Sequence, residues 1–168
     1  MTISMHAASA PRVASTLRNL SAILAKAEAY AQAHKIEASV MLGLRLYPNM
    51  FPLVRQVQIA TDNAKGMVAR LAGVENPRHE DTETSFAELQ QRIAKTLAFI
   101  ESIPASAING SEERDIHLKL GPREEHYKGM QYLLGFALPN FYFHVVTAYD
   151  ILRHNGVELG KSDFIGTV

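Results

Sequence analysis

Cysteine is absent from this chain of 168 residues. Its absence excludes disulfides, thiolate nucleophiles and zinc sites of the cysteine type. An excess of either charge is missing too, with 17 Lys and Arg against 17 Asp and Glu. Nothing therefore supports nucleic-acid binding or an acidic solvating tail. No apolar run reaches the roughly 20 residues that a membrane-spanning helix needs. The opening Met-Thr-Ile-Ser-Met-His has neither a basic start nor an apolar signal core. Phosphate loops, nucleotide fingerprints, a Ser/His/Asp order, internal repeats and low-complexity segments are all lacking. The expectation is a cytoplasmic protein with no nucleic-acid partner and no membrane partner.

What remains is ordinary globular material, 47% apolar and 20% charged, enough for a single domain over residues 1–168. Val13, Leu17, Leu20, Leu24, Ala27 and Ala31 recur at helical steps of 4 and 3, with Ser9-Ala-Pro11 as the expected start. A short helix over 37–43 follows. Pro48, Asn49 and Pro52 punctuate the start of a second long helix. Leu53, Val57, Ala60, Ala64, Val68 and Leu71 form its stripe, and Gly73 ends it. Residues 75–84 read as a polar loop in which His79, Glu80 and Asp81 are solvated. Ser85 and Glu88 fit a capping box for a third helix with Phe86, Leu89, Ile93, Leu97 and Ile100 inward, stopped by Pro104. A fourth helix is expected over 129–153, closed by Asn155-Gly156, with a kink at Pro139. The tail from 157 shows little pattern.

Between the third and fourth helices the period changes to two. Ile116, Leu118 and Leu120 alternate with Asp115, His117 and Lys119, and Gly121-Pro122 follows. A two-residue type II′ turn there pairs Leu120 with Arg123, Lys119 with Glu124, His117 with His126 and Asp115 with Lys128. Two opposite-charge pairs arise from that one register. The fold class expected is therefore mainly all-α, an up-and-down four-helix bundle with a β-hairpin between helices three and four.

The candidate site lies on the fourth helix. Asn140, His144 and Thr147 follow steps of 4 and 3 and share one face, amid Phe, Tyr, Val and Leu. Polar groups on such a face are costly to bury without partners. Gln56 is the best polar group on the core side of the second helix, with Asn63 one heptad later. Asn140, His144 and Gln56 are expected to approach one another inside the bundle. Tyr142 and Tyr149 flank the stripe as core residues whose hydroxyls need partners. His117 and His126, if cross-strand neighbours, are a second metal-chelating candidate on a solvent-exposed face. His6 and His34 read as surface residues.

The segments Tyr47-Pro-Asn-Met-Phe-Pro-Leu-Val-Arg-Gln-Val-Gln-Ile-Ala-Thr-Asp-Asn-Ala-Lys-Gly66 and 139–157 resemble a domain-of-unknown-function family. That family belongs to the DinB/YfiT-like superfamily of four-helix bundles, and the resemblance covers nearly the whole chain. The superfamily is typified by a divalent metal held by three histidines, one early on the second helix and two on the fourth at i and i+4. Counting back from Leu152, Arg153 and Gly156, which look like the superfamily's ending, His144 falls on the second histidine of the pair and Asn140 on the first. The second helix has no histidine, and Gln56 is the nearest candidate. The resemblance thus implies a degenerate metal site in which His144 is the one ligand candidate kept. Borderline ions such as Zn²⁺ and Ni²⁺ prefer imidazole nitrogen. The expectation is no cofactor and no stoichiometric zinc or nickel.

Two functions follow from these readings. The first is a small-molecule binding or stress-associated bundle protein without metal chemistry, a homodimer. The alternative is a metal-dependent hydrolase or thiol transferase of the DinB/YfiT-like type. The stripe of Gln56, Asn63, Asn140, His144 and Thr147 reads either as a ligand pocket or as a buried hydrogen-bond network that only specifies packing.

Overall fold

Each of the four runs with helical apolar spacing folds as a long helix in the computed structural model, which describes residues 3–166. In chain order the elements are α1 (Met5–Ala8), α2 (Ala10–Ala33), α3 (Ala38–Gly43), α4 (Leu53–Ala72), α5 (Phe86–Ser102) and α6 (Ala105–Ile108). Strands β1 (Asp115–Leu120) and β2 (Arg123–Lys128) follow, then α7 (Gly129–Tyr132), a π-helical turn (Leu133–Ala137), α8 (Leu138–His154) and α9 (Lys161–Ile165). Helix α4 packs against both α5 and α8, and α2 packs against α5. Mostly helical with one small hairpin, this is the bundle expected. Among the described residues no helix is long and apolar enough to cross a membrane.

The stripes do what their spacing dictates. Val13, Leu17, Leu20 and Leu24 of α2 are buried against Leu53, Val57, Ala60 and Ala64 of α4 and Leu89 and Ile93 of α5 in one continuous core. Leu97 of α5 is only partly buried. Burying each Leu or Ile contributes about 1.5–3 kcal/mol relative to exposure. Gly73 ends α4 with φ of 70°, a left-handed conformation that glycine adopts freely. Ser85 and Glu88 form the expected reciprocal capping box of α5.

The hairpin has the expected register, with Asp115 opposite Lys128, His117 opposite His126 and Lys119 opposite Glu124. Ile116 and Leu118 face the core, and His117, Lys119, Glu124 and His126 are exposed. Of the two charge pairs read from the register, Asp115–Lys128 closes at 2.6 Å. Lys119 and Glu124 form no ion pair among the described residues. The Lys128 ammonium holds the Asp115 carboxyl below its ordinary range by hydrogen bond and charge.

Two expectations are corrected and two refined. Ser9 precedes α2, but its hydroxyl donates to the Met5 carbonyl at 2.6 Å instead of capping, because α1 places that carbonyl within reach. At Pro139, where a kink is expected, a π-helical turn lies immediately upstream. The Leu138 N–H bonds the Leu133 carbonyl, five residues back, and this wide turn puts Pro139 in the first turn of α8, where its missing N–H costs little. The tail is patterned after all: Val157 and Leu159 are buried and α9 packs on α2. The loop over 75–84 is largely exposed as expected, Glu80 and Asp81 included, and it is also anchored by contacts described below.

Candidate functional site

The apolar faces of α4 and α8 meet, and the polar residues interrupting them meet as well. Gln56 is buried at 1% exposure and His144 at 9%. His144 Nδ1 lies 2.7 Å from Gln56 Oε1. Gln56 Nε2 donates to the Phe51 carbonyl at 3.0 Å. One turn back along α8, Asn140 Nδ2 donates to Asn63 Oδ1 at 3.1 Å. The stripe is therefore a ladder of two rungs, with His144 on Gln56 and Asn140 on Asn63. The expected approach of Asn140 to Gln56 is replaced by the second rung. Thr147 contributes no rung, since its hydroxyl donates to the Phe143 carbonyl of its own helix at 2.7 Å.

This geometry assigns a tautomer. The Gln56 carboxamide has its NH₂ committed to Phe51, so its oxygen faces His144 as an acceptor. His144 must then donate from Nδ1, which leaves Nε2 with its lone pair. Nε2 has no partner among the described residues and is not enclosed. Burial, and next the positive charge of Arg55, push the His144 pKa below its ordinary value. The ring is thus neutral at pH 7, a hydrogen-bond acceptor at the rim of the bundle. Phe143 stands edge-on to it at 5.3 Å between centroids, and Phe51 lies under the Arg55 guanidinium at 6.0 Å. Asn63 Nδ2 is enclosed and without a partner. Among the described residues no three His, Asp or Glu side chains converge as a metal-ligating group.

A second buried polar cluster is larger, and sequence reasoning missed it. Arg92 of α5 has only 2% of its side chain exposed and uses every N–H. Nε donates to Thr61 Oγ1 at 2.7 Å, and Nη1 to the Glu80 carbonyl and Glu83 Oε1, both at 2.9 Å. Nη2 reaches Asp62 at 2.9 Å and Asp81 at 3.0 Å. Lys65, 5% exposed at its side chain, pairs with Asp62 at 3.1 Å, and Arg55 pairs with Asp81. Three cations thus meet three carboxylates, and the 75–84 loop is tied through Glu80, Asp81 and Glu83 to α4 and α5. The signal was present: an arginine within the α5 stripe, one residue before Ile93, follows a loop rich in acids. His79 is enclosed beside this cluster with neither ring nitrogen partnered. Burial, then Lys65, Lys95 and Arg92, lower its pKa.

The remaining candidates lie apart from the ladder. A cavity of 610 Å³ is lined by Tyr30, His34, Gly156 and neighbours, and one of 410 Å³ by His79, Gln91, Lys95 and neighbours. His34 is exposed, stacked on Tyr30 at 4.0 Å. His6 is half-buried. Tyr142 and Tyr149 are partly buried against the core.

Comparison with known proteins bears on this geometry. A crystal structure of a DinB family member protein from Shewanella denitrificans is 42% identical and superposes with a TM-score of 0.89, covering 97% of this chain and 92% of that one. A search of the curated proteins gives no match. Residues 5–165 match the family described as Domain of unknown function (DUF1993). With the bundle, the hairpin and that near full-length match together, the chain belongs to the DUF1993 family.

Proposed function

We propose that the rim of the α4–α8 ladder binds a small polar molecule that donates a hydrogen bond to His144 Nε2. The single observation behind this reading is the unspent lone pair of a neutral imidazole, oriented through Nδ1 by Gln56, itself anchored on Phe51. A network that served packing alone gains nothing from an acceptor left open at its edge. Phe143 supplies an apolar flank for the ligand, and Arg55 adds positive charge nearby.

On the same reading we expect no structural or catalytic transition metal. At the three positions where the superfamily places histidines this chain has one imidazole and two neutral amides. The Gln56 oxygen is engaged by His144, and Asn140 turns its NH₂ to Asn63. Such a donor set fits zinc or nickel poorly. The reading also includes a cytoplasmic homodimer, with Leu134, Phe143 and Val146 as the exposed apolar residues offered to a second copy.

A fragment screen by NMR, with the imidazole nitrogens of His144 as reporters, tests the proposal. Hydroxyl- or amide-bearing fragments are expected to shift Nε2 in the wild type and to lose binding in His144→Ala and Gln56→Ala. If no fragment moves His144, the ladder is a packing network. Elemental analysis finding about one zinc or nickel per chain, lost in His144→Ala, would instead place the metal-dependent hydrolase or thiol transferase reading first. Sedimentation of wild type and Phe143→Asp checks the dimer, which the charge is expected to dissociate.

A further inference from the structure

The hairpin carries a pair of histidines that neither the bundle nor the ladder uses. His117 and His126 are direct cross-strand partners, both exposed, with ring centroids 4.5 Å apart and ring planes at 88°. Directly opposed residues have Cβ atoms about 4.5–5.5 Å apart, a spacing that lets two imidazoles turn nitrogens toward one ion. We propose that His117 and His126 form a bidentate site for a divalent d-block cation of the Cu²⁺, Ni²⁺ or Zn²⁺ class.

Three features support a chelate over two unrelated surface residues. The strands are joined by the tightest of connections, Gly121-Pro122, with Gly121 at φ of 61°. Proline at the second central position holds a negative φ, so the turn is of the II′ type and the register cannot slide cheaply. The inner face of β1 is locked by buried Ile116 and Leu118, which keeps the outward face, and both imidazoles, facing solvent. Finally, the two rings share a surface depression of about 170 Å³ with Lys119 and Glu124, which form no ion pair with each other among the described residues. The other acid of that face, Asp115, is held by Lys128.

Imidazole nitrogen selects borderline ions over Mg²⁺ or Ca²⁺, and Cu²⁺ binds tightest in the divalent series. With two protein ligands the ion keeps open positions for water, so binding is reversible and a chelator strips it during purification. Neutral imidazole is the ligating form, so protons compete with the ion for the site.

The test is titration of the full-length protein with Cu²⁺ at pH 7.5, read by calorimetry and by electron paramagnetic resonance. The expected result is about one ion per chain with two imidazole nitrogens in its coordination sphere. Removing one arm of a chelate forfeits the effective concentration of the second. His117→Ala and His126→Ala are therefore each expected to weaken binding at least about tenfold, while His144→Ala leaves it unchanged. Both hairpin variants alter exposed side chains, and circular dichroism checks their fold. Equal affinity in wild type, His117→Ala and His126→Ala would overturn the proposal. So would binding lost only in His144→Ala, which would assign the ion to the bundle.

Discussion

Two polar clusters interrupt the core of this bundle, and they are built on opposite plans. Around Arg92 the partners are mainly carboxylates, and the guanidinium of α5 spends all its donors on α4 and the 75–84 loop. Around His144 the hydrogen-bonded partners are neutral, with the Arg55 charge nearby, and the last nitrogen of the chain Phe51–Gln56–His144 is left open. A closed network holds segments together, whereas an open one presents chemistry to a visitor. The contrast separates a network that ties down its own loop from one that ends in an unpartnered acceptor, the feature on which the proposed ligand site rests.

Replacing Arg92 by methionine should give the largest effect. It leaves Asp62, Asp81 and Glu83 around a site with no guanidinium, and breaking a buried ionic network from one side costs about 3–5 kcal/mol. Denaturant unfolding measures it. A loss smaller than that of His144→Ala would invert the comparison. His144→Ala should cost less, about 1 kcal/mol and a few degrees of melting temperature, because the freed Gln56 oxygen can turn toward the same opening that exposes Nε2. An unchanged melt would sharpen the contrast further, since groups kept for function are often held at a cost in stability.

Acid should act on both clusters at once. His79 and His144 have folded-state pKa values below the ordinary value of 6.5. The unfolded chain then takes up these protons first, so stability is full above about pH 6.5 and falls as pH drops toward the folded-state values. Melting temperature across pH 5–8 should show this decline, and His144→Ala should flatten part of it. The smallest effect is expected on the hairpin. Lys128→Met breaks an exposed pair with Asp115, and exposed pairs contribute little, so no shift of the thermal midpoint is expected. A clear drop would mean that the hairpin's register depends on charge more than on its turn and its buried Ile116 and Leu118.

The ladder was legible because its members break apolar stripes at helical spacing: a histidine and an asparagine four apart among Phe and Val have few places to point but inward. The hairpin was legible for a similar reason, since one register satisfied the turn, the alternation and the charges together. The Arg92 cluster was not legible as a site. Arginine beside Ile93 can extend its charged end to water, and only the path of the 75–84 loop, which no periodicity encodes, brings carboxylates over it. The same ambiguity hid the choice of Asn63 as partner for Asn140, since Gln56 and Asn63 lie on one face and the sequence does not say which rung each helix position meets. The buried Val157 and Leu159 escaped notice because two residues are too few to show a period.

The wide turn at Leu133–Ala137 has a consequence for how this chain tolerates change in length. Upstream of it the backbone is fixed at Gly129, where a Cβ would sit 1.9 Å from the Ser111 carbonyl oxygen. Downstream it is fixed by the rungs from Asn140 and His144 to α4. An α-helix advances about 100° per residue, so two clamps on one helix agree in phase only for particular residue counts between them. The π-helical turn works as a vernier that absorbs the remainder. Deleting one residue within it would leave an unbroken α-helix that is locally sound, yet would swing His144 away from Gln56 or pull Gly129 off Ser111. In this segment an insertion or deletion should be far less tolerated than any single substitution.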